Sequence, residues 1–340
     1  MFQNMLEQLY GIQAEGEPIE VNRYPALKGN GWIYLIANPG RREAADIQEL
    51  AQIAEHLYQL GDQGVPIFLP DKNGNWMAEW EQKQYCVLAS QQTEENRKRP
   101  RLGRKLAKFH ERGRRVPFQI QRISRVGQWK RLWEQRLEQM EKVWNGLLFQ
   151  TPEDDFERMF IESFPYYMGL TENAIQYLVD TELDDDPLEI DSGTVCHERF
   201  TQNTWASSSG SYSIKFPFDW VFDHRSRDLA EWTRARYLHN IQTYDMDVRL
   251  FFEQYQSAAP LSSFTWRLLY SRLIFPLHYF ECVEGYYITQ SEQEKKVLEE
   301  RMGKILKQSS EYERFLAQFF QLTGAPVKML NLPQLEWLYH

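Results

Sequence analysis

Apolar residues are distributed unevenly along this chain: short strand-like runs crowd the first ninety positions, and helical stripes fill most of the remainder. Phe2, Met5, Leu6 and Leu9 make a short amphipathic piece, after which the sequence to residue 30 reads as irregular. Gly29-Asn30-Gly31 is a hairpin-turn signal, and the apolar run Trp32–Ala37 behind it is a strand. The period then lengthens. Ile47, Leu50, Ala51, Ala54 and Leu57 recur at steps of three and four, so a helix is predicted there, stopping at Gly61. Strands are predicted at Pro66–Leu69, Trp76–Trp80 and Tyr85–Ala89, with Asp71–Asn75 turning between the first two.

Residues 91–101, QQTEENRKRPR, are charged, contain proline and lack any period, which marks a linker. The chain therefore divides into a small strand-rich lobe, 1–90, and a large helical lobe, 102–340. In the second, a helix is predicted from Leu102 to Gly113. A longer one carries Trp129, Leu132, Trp133, Leu137, Met140, Val143, Trp144 and Leu147 on one face. Thr171–Thr181 reads as a further helix that ends before the acidic loop Glu182–Asp186. Ser291-x-x-Glu294 and Ser310-x-x-Glu313 have the form of capping boxes that open two late helices. Gly324 and Pro326 end the last helix, and the Leu and Trp residues of the tail are expected to pack down.

Potential chemistry concentrates between Thr194 and Trp232, in TVCHERFTQNTWASSSGSYSIKFPFDWVFDHRSRDLAEW. Two β-rich runs, Val195–Cys196 and Tyr212–Phe218, flank a polar loop, and a helix begins near Ser226. His197, Glu198, Arg199, Asn203, Asp219, Asp223 and Asp228 fall within 32 positions of one another, a density that suits loops held by strands.

This segment resembles the catalytic region of kinase-like phosphotransferases of the aminoglycoside phosphotransferase and choline kinase type, where H-G-D-x-x-x-x-N is followed by I-D-[FW] and D-P-x-x-x-D-L-A. His197 holds the His place, Asn203 the Asn place, Asp219 the metal-Asp place, and Asp223 with Asp228-Leu229-Ala230 the last block. The resemblance implies an α+β, bilobal, protein-kinase-like fold. It also implies Asn203 and Asp219 as a residual Mg²⁺ pair, although both residue types commonly cap turns. Asp228 would accept hydrogen bonds from the loop backbone and His197, a structural role, with His197 fixing the loop.

Three departures bear on activity. Glu198 stands where Gly is usual, Arg199 stands where the catalytic Asp should be, and Asn203 comes one position early. Arginine stays charged and has no acceptor, so it cannot take a hydroxyl proton. The strand Trp32–Ala37 has no phosphate-binding Lys, and Lys28 lies outside it; Glu43 and Glu49 are then expected to be surface charges. No G-x-G-x-x-G is present. His197, Glu198 and Arg199 therefore form a degenerate loop with no catalytic residue assigned, no cofactor is expected, and residual Mg and ATP binding is at most weak. Arg199, Arg225 and Arg227 could form an anion-binding patch or pair with Asp219, Asp223 or Glu198 and lock the loop.

CHERF, DWVFDH, RDLAEW and FPYYMGLTENAIQYLVD together resemble the CotS family of spore coat proteins, across essentially the whole chain. That resemblance implies a pseudokinase made in the mother cell cytoplasm during sporulation and placed in the spore coat, with other coat proteins as partners. Two rival readings stay open. One is an active Mg-ATP-dependent small-molecule or protein phosphotransferase with Glu198 as its base; the other is a nucleotide- or phosphopeptide-binding module without turnover.

Composition narrows this further. Hydrophobic content of 42% and charged content of 26% are those of a globular protein. A net charge of −9 argues against nucleic acid and anionic membrane as partners. No apolar run is long enough to span a bilayer, and no signal peptide is evident at the start. Cys86, Cys196 and Cys282 form no CxxC pair and read as buried thiols. The aromatic content of 14% suits a thickly packed core, with oxidative cross-linking as its alternative use. Neither G-x-S-x-G nor H-E-x-x-H occurs, and the histidines lack ligand spacing.

Overall fold

The computed structural model describes residues 2–21, 24–91, 101–205 and 214–339; most of the expected linker, 92–100, and Tyr212 and Ser213 lie outside that set. The chain forms two compact units. One comprises Met1–Arg125, Gly193–Tyr244 and Gln254–Pro260; the other comprises Val126–Ser192, Asp245–Glu253 and Leu261–His340.

The first unit opens with helix α1 (Phe2–Met5), which continues as a π-helical turn over Leu6–Tyr10. The stretch before residue 30 is not irregular. It holds β1 (Glu15–Val21) and β2 (Tyr24–Gly29), antiparallel to each other. Alternation is faint in β1 because it is an edge strand with three glutamates, most of it in solvent. Asn30 and Gly31, both at positive φ, make the two-residue turn into β3 (Trp32–Ala37). Helix α2 (Ala44–Gln59) follows, then β4 (Ile67–Leu69), β5 (Ala78–Trp80) and β6 (Lys83–Gln91). The strand order is β1-β2-β3-β6-β4, with β5 hydrogen-bonded to β6. Tyr34, Ile36, Tyr85, Val87 and Ala89 share one face of the sheet with Met5 and Leu6 of the N-terminal helix.

Helix α3 (Leu102–Gly113) buries Leu106, Ala107, Phe109 and His110. Its last residue lies so close to β7 (Thr194–His197) that a Cβ on Gly113 would meet Thr194 Oγ1 and Val195 N at 2.7 Å each. β7 pairs antiparallel with β8 (Trp220–Asp223), which leads into α6 (Ser226–His239). The strand predicted over Tyr212–Phe218 is displaced. Ile214–Phe216 has no regular structure, Pro217–Asp219 is a 3₁₀ turn, and only then does the ladder begin. Pro217 has no N–H to give to a ladder, so pairing starts beyond it.

The second unit is helical. Helix α4 (Trp129–Leu147) buries Trp129, Trp133, Leu137 and Met140, while of the rest of the predicted stripe Leu132, Trp144 and Leu147 are half-buried and Val143 is exposed. Thr171–Thr181 proves to be part of α5 (Asp155–Asp184), a 30-residue helix that runs through Pro165 and takes in Glu182–Asp184 of the expected loop. Pro165 cannot donate to the carbonyl of Ile161; the Trp144 indole donates to that oxygen instead, at 3.0 Å. Helix α7 (Tyr244–Gln256) contributes to both units and is followed by α8 (Ser263–Ile274), α9 (Leu277–Ile288), α10 (Glu292–Lys307), α11 (Ser309–Thr323) and the short α12 (Val327–Leu330). Tyr167 stacks on Tyr279 and Phe156 on Tyr286, at 3.7 and 3.8 Å between centroids, so aromatic rings fill this core. Ser291 caps α10 as expected, whereas Ser310 lies inside α11 and Glu313 accepts from Tyr166 Oη. In the tail Leu332 is buried, while Trp337 and Tyr339 stay partly in solvent. Among the described residues no helix is long and apolar enough to cross a membrane.

The Gly113 contact generates a prediction. Gly113→Ala should lower unfolding free energy by about 1–3 kcal/mol, as overpacking against backbone does, measured by urea denaturation.

Candidate functional site

The Asp228 carboxylate is fully buried at the first turn of α6. Its Oδ1 accepts the backbone N–H of His197 at 2.8 Å. Its Oδ2 lies 2.7 Å from His197 Nδ1 and 3.1 Å from His110 Nε2. The outer nitrogens fix the protons. Trp205 Nε1 can only donate, and it reaches His197 Nε2 at 3.0 Å, so that nitrogen is bare and Nδ1–H faces Asp228. His110 likewise gives its Nε2–H to Asp228 and accepts from the Tyr255 hydroxyl at 2.8 Å. His197 thus has its one lone pair occupied and holds no proton-accepting position toward a substrate.

Burial shifts Asp228, His110 and Tyr255. It raises the Asp228 carboxyl, but the two imidazoles outweigh it and hold the group well below the usual carboxylate range. It pushes His110 down against the pull of Asp228, and it holds the Tyr255 hydroxyl above the usual phenol range. His110 Nε2, Cys196 Sγ and Asp228 Oδ2 make the one close trio of His, Cys or carboxylate ligand atoms among the described residues. The thiol sits 3.6 and 3.5 Å from the carbonyls of Asp223 and His224, where a protonated sulfur donates and a metal-bound thiolate would be repelled. The trio is a hydrogen-bonded hub.

Along the loop, Glu198 is 61% exposed, and its N–H donates to the carbonyl of Asp219 at 2.7 Å. Arg199 lies 3.6 Å from Glu231, a buried carboxylate that Arg234 also approaches at 3.4 Å. Arg227 binds Asp223 at 2.8 Å and the carbonyl of His197 at 2.9 Å, and Arg225 is buried. Of the two uses open to these arginines, locking the loop is the one the geometry displays for Arg227. Arg42, which precedes α2, donates to the carbonyl of Phe218, lies over its ring and approaches Glu198 at 3.9 Å. Asn203 is in solvent in the Thr201–Thr204 turn, lining a cleft of about 190 Å³ with Trp232, Ala235, Arg236 and His239. Asp219, the other member of the expected Mg²⁺ pair, is half-buried at the end of the Pro217–Asp219 turn, while the neighbouring Asp223 is held by the Arg227 guanidinium.

The strand-side charges are used differently from expectation. Ile33, Leu35 and Ala37 of β3 are buried and apolar, on the face opposite Tyr34 and Ile36. Glu49 is not a surface charge. It is buried on α2, and its carboxylate accepts the backbone N–H groups of Gln121, Arg122 and Ile123 at 2.7–3.2 Å. That segment in turn exchanges backbone bonds with Phe222 of β8. Glu43 remains exposed and pairs with Arg122. A second buried charge escaped the sequence reading: Lys215, 7% exposed, lies 2.6 Å from Asp62 and 4.5 and 5.0 Å from the rings of Trp205 and Phe109. Burial pulls its amine down, against the pull of Asp62. The signal available was the flanking Ile214 and Phe216, which place Lys215 in an apolar run.

Two outcomes are expected. Asp228→Asn should cost about 3–5 kcal/mol of stability, since an amide has one acceptor oxygen and must turn its NH2 against either the two imidazoles or the His197 backbone N–H. The pH dependence has one sign: below the ordinary His value of 6.5 the unfolded chain binds a proton at His110 that the fold refuses, and near pH ~4 it binds another at Asp228. Melting temperature should therefore fall as pH drops below 6.5, and the first part of the fall should be shallower in His110→Gln.

Residues 3–319 match the family model described as "Spore coat putative kinase YutH". The chain is 40% identical over 338 residues to the Endospore coat-associated protein YutH of Bacillus subtilis (strain 168), covering 99% of this chain and 98% of that one. In structure it resembles an aminoglycoside phosphotransferase from Alicyclobacillus acidocaldarius, with a TM-score of 0.66, 14% identity and 92% and 93% of the two chains covered. An AMP-bound spectinomycin phosphotransferase matches with a TM-score of 0.60 at 11% identity over 96% and 98%. A microcompartment-associated aminopropanol kinase matches at 0.60 and 13% over 93% and 97%. At such identities the structural matches establish the fold alone: an antiparallel sheet unit and a helical unit of the kinase-like phosphotransferase kind. On the family match and the full-length identity, this chain belongs to the YutH family of spore coat proteins with a kinase-like fold.

Proposed function

We propose that the protein is a component of the spore coat, synthesised in the mother cell cytoplasm, in which a kinase-like fold serves assembly by interaction and no longer transfers phosphate. The coat assignment rests on the name of the Bacillus subtilis relative. The observation that carries the loss of transfer is Arg199. At the position that the resemblance gives to the proton-accepting Asp, a guanidinium lies against Glu231. Phosphoryl transfer works by positioning and charge neutralisation, so its groups cannot be moved at will. β3 offers apolar side chains where an amine would meet phosphate, and Glu49, on the helix that would carry its partner, is spent on the 121–123 backbone. Each such charged group contributes a few kcal/mol to a transition state, and two are missing.

The exposure of Glu198 and its approach to Arg42 support a second reading, an active Mg-ATP-dependent phosphotransferase with Glu198 as its base and Asp219 and Asn203 at the metal. Phosphopeptide binding finds less support, because Arg227 is engaged and Arg225 is buried.

Thermal melting with and without millimolar Mg-ATP separates the readings. A nucleotide at a hundred times its Kd would add about 2.7 kcal/mol; no shift is expected, and a shift accompanied by phosphate transfer would establish the second reading. Arg199→Asp should restore no ATP turnover, since β3 still lacks a lysine. A fluorescent fusion expressed through sporulation should ring the forespore, and a signal spread through the cytosol at every stage would contradict the coat role.

A further inference from the structure

Helix α3 carries a charge pattern that works against its own stability. Arg101, Arg104, Lys105, Lys108, Arg112 and Arg115 recur at steps of one, three and four and so share one stripe, opposite the buried Leu106, Ala107, Phe109 and His110. From 101 to 115 there are seven cations and one acid, Glu111, in a chain whose net charge is −9. The first turn holds no acid and no side-chain cap, so Arg104 and Lys105 face the positive end of the helix dipole. Arg101 and Lys105, Arg104 and Lys108, and Lys108 and Arg112 are like charges four apart, which repel. Arg112 pairs with Asp62 and Arg114 with Glu111; among the described residues Arg101, Arg104, Lys108 and Arg115 form no ion pair. A local rule broken this consistently on a surface calls for an anionic partner.

The same chain has a segment of complementary form. The end of α5 and the turn after it expose Glu182, Asp184, Asp186 and Glu189, and the last turn of α5 holds no base, so its acids sit at the negative end of their own helix. Leu183 and Leu188, within the same segment, are 78% and 61% exposed. Asp184 contacts Arg267 yet remains 66% exposed. Each segment suffers from the dipole of its own helix, and contact between them relieves both.

We infer that the α3 stripe is a docking surface for residues 182–189 of a second copy of this chain. The two patches differ, so a pair either closes by two reciprocal stripe-to-segment contacts or leaves one stripe and one acidic segment free to add further copies. A nucleic acid or anionic membrane is disfavoured as occupant, because it would meet the repulsion of the remaining surface. The inference does not depend on whether the cleft binds nucleotide.

The experiment is sedimentation velocity of the full chain over a concentration series, at low and high salt. Wild type should gain mass with concentration at low salt and return to single chains at high salt. A stripe variant (Arg101→Gln, Arg104→Gln, Lys108→Gln) and a segment variant (Glu182→Gln, Asp186→Asn, Glu189→Gln) should each melt no lower than wild type and stay monomeric. Mixed in equal amounts they should form a pair and nothing larger, since one supplies the intact acidic segment and the other the intact stripe. A wild type that stays monomeric, association that neither variant weakens, or a monomer whose stripe binds anionic vesicles or DNA instead would each overturn the inference.

Discussion

The Asp228 carboxylate has to remain ionised where no water reaches it, and the arrangement around it follows from that requirement. An uncompensated charge in such a place costs several kcal/mol, so both oxygens must find donors. One backbone N–H and two imidazole N–H groups do this, and each imidazole is held in its tautomer from outside, by Trp205 and by Tyr255. α3, β7, α6 and the end of α7 therefore meet at one oxygen pair. None of these groups needs a substrate. A loop fixed in this way keeps its course whatever residues occupy the next two positions, so Glu198 and Arg199 are not needed to hold it.

Two buried charges of the first unit serve its framework. Glu49 staples the 121–123 backbone, and that segment is hydrogen-bonded to β8, so a carboxylate on α2 acts on the strand just beyond Asp219. Lys215, enclosed by Phe109 and Trp205, ties the segment before Asp219 to Asp62 and so to the loop after α2; Arg112 meets the same carboxylate. These contacts hold the region around Asp219 from both sides by fixed bonds.

Much of the fold was legible in the sequence because periodicity survives wherever one face is buried. α2, α3 and β3 lie where their apolar spacing put them. β1 escaped because an edge strand of glutamates shows no alternation, and the prediction of Thr171–Thr181 covers only part of α5, which also takes in Pro165. Ser310 met the pattern of a cap without being one, since α11 had already begun at Ser309. In the site, Asp228 and His197 could be read through a resemblance; Glu49 and Lys215 could not, because their partners are backbone groups and residues up to 153 positions away. Long-range partners leave no spacing to read.

The indole of Trp144 completes the one carbonyl that Pro165 leaves without its helical donor. Two positions on neighbouring helices are thereby bound to a shared history. The imino acid is harmless only while the tryptophan stands, and the tryptophan has a polar duty only while the imino acid is there. A lineage that dropped the ring first would strand a carbonyl oxygen, whereas one that first exchanged the imino acid for an ordinary residue would free the ring to change. Relatives should therefore travel this pair of sites in one order and not the other.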